Sequence, residues 1–451
     1  MSAIYNYFYD SFKAAVACSC AERRIGAELK FPLVSADGSA AGLNKVHALW
    51  DYLLGCGWQP VVDRMADRIV GAKQPGQYND TVASCETGFC KIEFSLAHVA
   101  DLFDLDNEIK KLLNLLKPFS EHEKVFFLGY GIQPLTPPGK QLLMKKGRSS
   151  VWDKVFPSNR YITPENGDDV HLFTINAANH VHISVTPEEA VQAVNVLNGF
   201  AGPQIALTAH SNIWKGAPDP DYKCVSEKLW DWWMDDADRI GVPAKPFPDL
   251  HDYINTVAAF RPVFVMRNGQ PIVLTRYRSF YEYFTSQQAT GFDPHGETVS
   301  LLPEQEDFDL HCTCYWYSAR ISRYFTVENR VNDQQPPDEI ITIPALTLGL
   351  LSALEESWEE VSSHDWETLR CARDVACRNG LDGVTGNIGL LKQAKEMLDI
   401  AQLGLIRRGR GEEKYLFPLY ARLRTKKSPA DEAAALFHRG GIKNLVNARK
   451  L

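Results

Sequence analysis

The 451-residue chain lacks the features that mark several common classes of protein. No window is long and apolar enough for a transmembrane helix, and residues 1–12 lack the basic segment followed by an apolar one that a secretory signal requires. We therefore expect a cytosolic protein with no membrane partner. The chain has 48 Lys and Arg against 56 Asp and Glu. Its cations are scattered rather than gathered into a stripe, so we expect no nucleic-acid partner.

The ten cysteines lack the spacing of a zinc or redox motif. The closest pairs are Cys18 with Cys20, Cys85 with Cys90, and Cys312 with Cys314. None of these pairs has C-x-x-C spacing, and a chain without an export signal is expected to keep its thiols reduced. We interpret them as core or surface thiols rather than as metal ligands.

The sequence also lacks the short motifs of the large nucleotide-binding and protease classes. It contains no G-x-x-x-x-G-K-[ST] loop, no G-x-G-x-x-G after the first predicted strand and no H-E-x-x-H. Neither a Walker-type nor a Rossmann-type enzyme is therefore expected. A small-molecule site of another kind is the better expectation.

What the sequence does contain is an alternating run, His-Val-His-Ile-Ser, that begins at His180. A period of two places His180 and His182 on one face of a strand, with apolar residues on the other face. Thr186 and Glu189 then form a capping-box pattern that predicts a helix over residues 187–200. Taken alone, the strand has two interpretations: its histidines bind a ligand, or they are hydrogen-bonded residues of a half-buried strand.

Three further predicted strands carry a carboxylate among apolar neighbours, at Glu28, Glu93 and Glu328. Together with His182, these residues are predicted to share one face of a sheet. Buried carboxylates repel one another unless cations neutralise them, so bound divalent metals explain the pattern. Glutamate oxygens suit magnesium or manganese, and an imidazole tilts the site toward manganese or zinc without excluding magnesium. For the first strand alone, an exposed edge is the open alternative.

Cations stand beside these strands in the sequence. Arg320, Arg323 and Arg330 flank the strand of Glu328, and a loop carries Lys146 and Arg148. The loop cations are able to bind phosphate, or they form a solvated turn. Metal, arginine and carboxylate together are what phosphoryl transfer from a nucleotide needs.

The apolar pattern predicts an α+β chain. Helices are predicted over residues 44–57, 98–117, 187–200, 202–210 and 224–238, and a strand over residues 86–95. Asn268-Gly269 predicts a tight hairpin, and Ser428 with Pro429 predicts the start of the last helix. We find no repeat and no linker, so we expect a single catalytic domain with a sheet-forming core over residues 1–342 and a helical part over residues 343–451.

Seven segments then follow one another in a recognisable order. They are Ile25 to Glu28, Glu86 to Ser95, Phe127 to Arg148, His180 to Ser184, Ala206 to Ser211, Thr326 to Asp333, and Ser428 to Asp431. In that order they resemble the G-x-E-x-E, E-P-x-x-x-x-E-x-S, G-x-x-P with M-P-K-G-R, H-V-H-V-G, A-L-x-A-N-S, T-x-E-x-R-x-x-D and S-P-A-E segments of the glutamate–cysteine ligase and carboxylate–amine ligase family. Each segment is weak evidence, but their order is specific.

The resemblance implies a mainly antiparallel, curved sheet of the glutamine-synthetase-like type, flanked by helices. It also implies an ATP-dependent ligase that activates a carboxylate as an acyl phosphate, which an amine then attacks. The implied metal ligands for Mg2+ or Mn2+ are Glu28, Glu93, His182 and Glu328. The implied phosphoryl-transfer residues are Arg148 and Arg330, and the implied ATP-binding residues are Lys146, Arg148, Arg320 and Arg330. Amino acids or their derivatives are the implied substrates.

Three positions depart from the family pattern. Lys30 stands where the first motif has its second glutamate, and Asp153 and Ser226 stand where related sequences have arginines thought to hold glutamate. Since each lost charge-assisted bond costs about 1.5 to 3 kcal/mol, we expect a carboxylate donor or amine acceptor other than glutamate and cysteine. The alternatives are an ordinary glutamate–cysteine ligase and a catalytically inactive nucleotide-binding homologue. Whether Glu86 and His180 take part stays open.

Overall fold

The computed structural model describes residues 2–17, 23–63, 67–146, 151–152, 169–233 and 237–451. The fold is α+β, as predicted, and most of its strands form one large antiparallel sheet. In chain order the strands are β1 (Ile25–Ser35), β2 (Gln59–Asp63), β3 (Arg68–Pro75), β4 (Asp80–Cys85), β5 (Lys91–Ser95), β6 (Val125–Phe127), β7 (Asn179–Ser184), β8 (Ile213–Trp214), β9 (Ala217–Pro218), β10 (Ile240–Gly241), β11 (Phe264–Arg267), β12 (Gln270–Val273), β13 (Ala289–Phe292), β14 (Thr298–Leu301), β15 (Trp316–Tyr317), β16 (Ala319–Ile321), β17 (Thr326–Asn329), β18 (Val384–Thr385) and β19 (Ile388–Gly389).

The large sheet has the strand order β16, β17, β7, β1, β5, β4, β3, β2, and β6 pairs with the C-terminal half of β1. A second sheet has the order β11, β12, β13, β14. Because β1 lies between β7 and β5, its side chains can reach residues of both neighbouring strands.

Helices flank the large sheet. They are α1 (Ser2–Ala17), α2 (Leu43–Gly55), α3 (Leu102–Glu123), α4 (Ala190–Gly199), α5 (Ala201–Thr208), α6 (Val225–Trp233), α7 (Leu250–Ala259), α8 (Phe280–Phe284), α9 (Asp307–His311), α10 (Thr342–Ser352), α11 (Leu354–Ser362), α12 (Trp366–Asn379), α13 (Leu390–Arg408), α14 (Phe417–Thr425) and α15 (Pro429–Arg449). In the described chain no single helix is both long and apolar enough to cross a membrane. One pair of consecutive helical segments, residues 337–352 and α11, reaches the required length and composition when the two are counted together, but the pair is bent by 86°.

The two faces of the large sheet differ in chemistry. On β1, Ala27, Leu29 and Phe31 are buried on one face, where β1 contacts α3 and α10. Because side chains alternate along a strand, Glu28 and Lys30 lie on the opposite face. We call that opposite face, which also carries the predicted residues of β5, β7 and β17, the site face.

Several element boundaries differ from those predicted. The strand predicted over residues 86–95 begins only at Lys91, because residues 86–90 form a turn closed by a 3.2 Å hydrogen bond from Lys91 N to Gly88 O. The helix predicted over residues 187–200 begins only at Ala190, although Thr186 N donates to Glu189 Oε1 at 2.9 Å, as the capping pattern predicted.

Other local predictions are confirmed. Asn268 and Gly269 form the turn between β11 and β12, both with positive φ angles, of 52° and 78°. Ser428 and Asp431 form a capping box at the start of α15, and Pro429 occupies its first turn. The described cysteines that were compared in pairs, Cys85, Cys90, Cys312 and Cys314, are all buried free thiols.

Candidate active site

Antiparallel pairing brings the predicted residues into adjacent rows on the site face. The directly paired residues are Glu28 with His180, Lys30 with Glu93, Glu328 with His182, and Glu328 with Arg320. Paired side chains have Cβ atoms about 4.5 to 5.5 Å apart. Residues that are up to 300 positions apart in the sequence, such as Glu28 and Glu328, become neighbours because five strands pair side by side in one sheet.

Three of these residues form a group that is able to hold a metal ion. Glu28, His182 and Glu328 each offer one ligand atom, and these atoms lie within 4.8 Å of one another. Two carboxylates with an imidazole suit magnesium or manganese by their chemistry. The sequence therefore identified a set of donors that the fold does bring together.

The hydroxyl of Thr326 orients His182. Its Oγ1 lies 2.8 Å from His182 Nδ1, and His182 Nε2 lies 3.2 Å from Glu28 Oε1. Since a hydroxyl can donate or accept, Thr326 satisfies Nδ1 whether the ring proton is on Nε2, facing Glu28, or on Nδ1. In the second state the Nε2 lone pair is free to bind a metal, so the surroundings of His182 fit an ion.

His180 provides a second observation that fits a cation. Its Nδ1 lies 3.5 Å from Glu28 Oε2 and 3.4 Å from Glu328 Oε1, yet this buried atom makes no hydrogen bond within the described chain. Burial lowers the pKa of His180, and the nearby charges of Lys30 and Arg330 lower it further. A neutral imidazole therefore faces two carboxylates.

Two arginines pair with Glu328. Arg320 Nε donates to Glu328 Oε2 at 2.8 Å, and Arg330 donates to the other carboxylate oxygen. Burial by itself would raise the pKa of Glu328, but these guanidinium groups hold it well below its usual range. The structure thus places the two predicted arginines at the carboxylate that completes the group of three donors.

Glu93 lies in a different part of the site face, beside Lys30. The Lys30 ammonium is 2.9 Å from Glu93 Oε2, 3.3 Å from Glu86 Oε1 and 3.4 Å from Glu28 Oε2. Lys30 is 9% exposed. The group of three donors described above does not include Glu93, and a lysine stands between Glu93 and that group.

The pKa values of Glu86 and Glu93 are shifted in opposite directions. Burial raises the pKa of Glu93 to about 8; the Lys30 ammonium opposes this shift, and the carboxylates of Glu28 and Glu86 add to it. Burial acts in the same direction on Glu86, but Lys30 and a hydrogen bond with Glu93 hold the pKa of Glu86 well below its usual range. The Lys30 ammonium thus favours the ionised form of Glu86, whereas burial favours the neutral form of Glu93.

Sequence reasoning missed Lys91, a second buried lysine of the site face. Its Nζ donates to Asn176 Oδ1 at 2.8 Å and lies 3.9 Å from Glu86 Oε2. Burial lowers the pKa of Lys91 to about 8. The signal was available, since Lys91 stands two residues before Glu93 on an alternating strand and so shares its face.

The loop cations are only partly described. Lys146 donates to the carbonyl of Cys85, next to Glu86, which brings one predicted ATP-binding residue to the edge of the site face. Arg148 lies outside the described residues, as does Asp153. Arg323 is exposed, and its guanidinium lies 4.7 Å from the ring centre of Tyr324.

A small cavity opens beside His180 and Arg330. Its described lining also includes Asn176, Ser226, Glu227, Trp230 and Trp316. The two indoles are stacked, with ring centres 5.8 Å apart and an interplanar angle of 25°. Ser226 is buried and donates to Asp333, and Glu227 is paired with Arg373 at 2.8 Å.

A comparison of the whole sequence with known families identifies the class of protein. The sequence model described as Glutamate-cysteine ligase family 2 (GCS2) matches residues 24–448. The chain belongs to this family. It is therefore an ATP-dependent ligase that forms carbon–nitrogen bonds, which confirms the class of enzyme predicted from the sequence.

Individual relatives of this family member are distant. The chloroplastic glutamate–cysteine ligase of Medicago truncatula is 28% identical over 396 residues, which is 84% of this chain and 71% of the relative. The enzyme of the same name from Arabidopsis thaliana is 27% identical over 392 residues, 84% of this chain and 69% of the relative. The crystal structure of glutamate–cysteine ligase from Francisella tularensis in complex with AMP has a TM-score of 0.54 at 11% identity, covering 95% of this chain and 87% of that chain, and supports the fold.

These relatives correct the predicted cellular location of the family member. We expected a cytosolic protein, but curated relatives from several plants are named as chloroplastic, which contradicts that expectation. The expectation was based on the lack of a basic and apolar leader. This was insufficient, because plastid transit peptides are amphipathic and rich in serine and arginine rather than apolar.

Proposed function

We propose that this ligase joins a carboxylate to an amine through an acyl phosphate formed with ATP, and that at least one organic substrate is neither glutamate nor cysteine. One observation carries the proposal. Among the described residues that line the cavity, Arg330 is the sole cation, and it is already paired with Glu328. A free amino acid such as glutamate brings carboxylates that need cations, each charge-assisted bond being worth about 1.5 to 3 kcal/mol.

The rest of the cavity supports a less charged substrate. Trp230 and Trp316 offer flat apolar surfaces, and burial of such surface favours apolar ligand groups. Ser226 stands at a position where related sequences have an arginine. Its hydroxyl donates a hydrogen bond to Asp333 and presents no charge to the cavity. An amino-acid derivative with an apolar or blocked end fits these walls better than glutamate does.

The chemical roles follow from the charges on the site face. Arg320 and Arg330 neutralise charge on the transferring phosphoryl group, because a guanidinium fork matches phosphoryl oxygens. Lys146 and Arg148 contact the ATP phosphates. Catalysis by positioning and charge neutralisation needs no nucleophile from the protein.

The metal sites are the remaining part of the proposal. Glu28, His182 and Glu328 would hold Mg2+ or Mn2+. Glu93 would act indirectly, because it contacts Lys30 rather than the group of three donors. A divalent ion there would neutralise phosphate charge and polarise the phosphoryl group. We propose that all these parts belong to a single catalytic domain made of residues 1–342 and the helical residues 343–451.

A second candidate function has its own support. The 28% identity over 84% of the chain to a glutamate–cysteine ligase favours the ordinary reaction that makes γ-glutamylcysteine. The same metal-binding and phosphate-binding groups of the site face would serve that reaction. The cavity lining is the feature that distinguishes them.

The test is a screen of ATP- and magnesium-dependent phosphate release over amino acids, blocked amino acids and simple amines, with products identified by mass spectrometry. We expect the fastest release with a pair other than glutamate and cysteine. Brisk turnover of glutamate with cysteine, faster than every other pair, would overturn the substrate part of the proposal and support the ordinary reaction. Glu328→Gln is the matched background control, since it removes one carboxylate of the proposed metal group.

A further inference from the structure

Lys30 lies among three acidic side chains of the site face, Glu28, Glu86 and Glu93. Its Nζ lies within 3.4 Å of a carboxyl oxygen of each of them, and it donates a hydrogen bond to Glu86 Oε1 at 3.3 Å. An ammonium group has three donors and no acceptor, so one lysine is able to serve three acidic neighbours. No further ligand is needed to balance Lys30 among Glu28, Glu86 and Glu93.

The backbone holds this lysine in place. Residue 30 is in the interior of β1, directly paired with Glu93 of β5. Its amide donates to Ala178 O at 3.0 Å, and its carbonyl accepts from Gln334 Nε2 at 3.1 Å. With backbone bonds on both sides and a side chain that is 11% exposed, Lys30 has little solvent into which to withdraw.

The donors on the site face therefore divide into two sets. Glu28, His182 and Glu328 form the described group whose ligand atoms lie close enough together to hold an ion. Glu86 and Glu93 appear in no such group within the described chain, although they too are carboxylates on neighbouring segments of the same face. Lys30 separates the two sets.

We propose that the Lys30 ammonium is a built-in cation that replaces one divalent metal ion between Glu28, Glu86 and Glu93. The wild-type protein then binds divalent ions through Glu28, His182 and Glu328, and has one site fewer than the same fold would have without the lysine. The proposal rests on the proposed metal group, but it is independent of which carboxylate and amine are the substrates. It makes part of the charge neutralisation permanent, since a chelator cannot remove a lysine.

The test counts bound Mn2+ by electron paramagnetic resonance and by isothermal titration calorimetry, in the absence of nucleotide. Lys30→Gln keeps a polar side chain that is one atom shorter and removes the charge, so we expect it to bind one more Mn2+ per chain than the wild type. Lys73→Gln is the matched control, because Lys73 belongs to the same sheet and pairs with Asp80 at 2.8 Å. It should leave the count unchanged.

A second pair of variants keeps the test decisive if Lys30→Gln does not fold. In the wild-type background, Glu86→Gln should leave the Mn2+ count unchanged, whereas Glu328→Gln should remove the bound ion. An unchanged count in folded Lys30→Gln, or the loss of an ion in Glu86→Gln, would overturn the proposal. Because the readout is metal binding, a failure here is distinct from a failure to find the predicted substrates.

Discussion

The hydroxyl of Thr326 lies 2.8 Å from Nδ1 of His182, on the side of the ring opposite to Glu28. Thr326 belongs to β17 and His182 to β7, so the contact depends on the pairing of these two strands. A second residue that fixes the ring of a metal-binding histidine controls metal affinity without touching the ion.

Replacement of Thr326 by valine tests this relationship. We expect Thr326→Val to weaken Mn2+ binding roughly 10- to 100-fold, because the ring loses its orientation and Nδ1 loses its partner. Titration of the protein with Mn2+ measures the effect. Thr425→Val is the control, since that hydroxyl bonds only carbonyls of its own helix, α14. Equal affinities in the two variants would show that Thr326 does not position His182.

Removal of the charge of Glu328 should cost stability as well as metal binding. Glu328→Gln leaves Arg320 and Arg330 without their shared buried partner, and breaking a buried pair from one side costs about 3 to 5 kcal/mol. Urea unfolding followed by circular dichroism measures the change in the free energy of unfolding. Glu360→Gln, which removes the 3.0 Å contact between Glu360 of α11 and His364 beyond the end of that helix, should change the free energy of unfolding by less than about 0.5 kcal/mol. Similar losses in both variants would contradict the central place of Glu328.

The buried carboxyl of Asp333 should make stability depend on pH. Burial raises the pKa of Asp333 to about 6, although hydrogen bonds from Ser226, His210 and Ser211 oppose the shift. The folded state then binds a proton between pH 6 and 4 that the unfolded state does not, so the free energy of unfolding rises as the pH falls through this window. The gain is about 3 kcal/mol by pH 4, and it is lost again above pH 6.

Urea unfolding at pH 7, 6, 5 and 4 measures this gain, with Asp333→Asn as the non-titrating reference. The difference between wild type and Asp333→Asn isolates Asp333 from the other titrating groups of the chain. A difference that stays constant across these pH values would mean that the carboxyl does not retain a proton in the fold.

Trp230 should control the organic substrate and not ATP. Removal of an indole that stacks on Trp316 takes away one wall of the cavity, and an aromatic contact is worth about 0.5 to 1.5 kcal/mol, or up to roughly 10-fold in affinity. We expect Trp230→Ala to raise the KM of the organic substrate by roughly that factor and to leave the KM of ATP within about 2-fold. Steady-state kinetics with the best pair from the screen measures both constants.

Trp232→Ala is the matched control for this prediction. Trp232 belongs to the same helix, α6, but it stacks on Trp214 with ring centres 6.0 Å apart and is not part of the described cavity lining. If Trp232→Ala changed the KM of the organic substrate as much as Trp230→Ala does, the effect would come from the helix and not from the cavity wall.

Local sequence patterns predicted what depends on a few adjacent residues. The start of the last helix at Ser428 and Pro429, the hairpin at Asn268-Gly269 and the alternation of His180 and His182 are all confirmed. Each of these features follows from the backbone geometry of two to five adjacent residues and does not depend on contacts with distant parts of the chain. The start of the strand that carries Glu93 was mispredicted, because residues 86–90 form a turn that packs against a distant part of the chain. The packing is close: a Cβ on Gly88 would lie 2.0 Å from Thr174 O.

The sequence by itself determined the family, the α+β class and the residue types at the candidate site, since each is written in the order and alternation of the segments. The tertiary structure decided which of those residues meet. Strand register alone sets Lys30 against Glu93 and leaves Glu28, His182 and Glu328 together, because cross-strand partners come from segments that are distant in the sequence. The division of the carboxylates by a lysine is therefore a property of the pairing of β1 with β5 and β7.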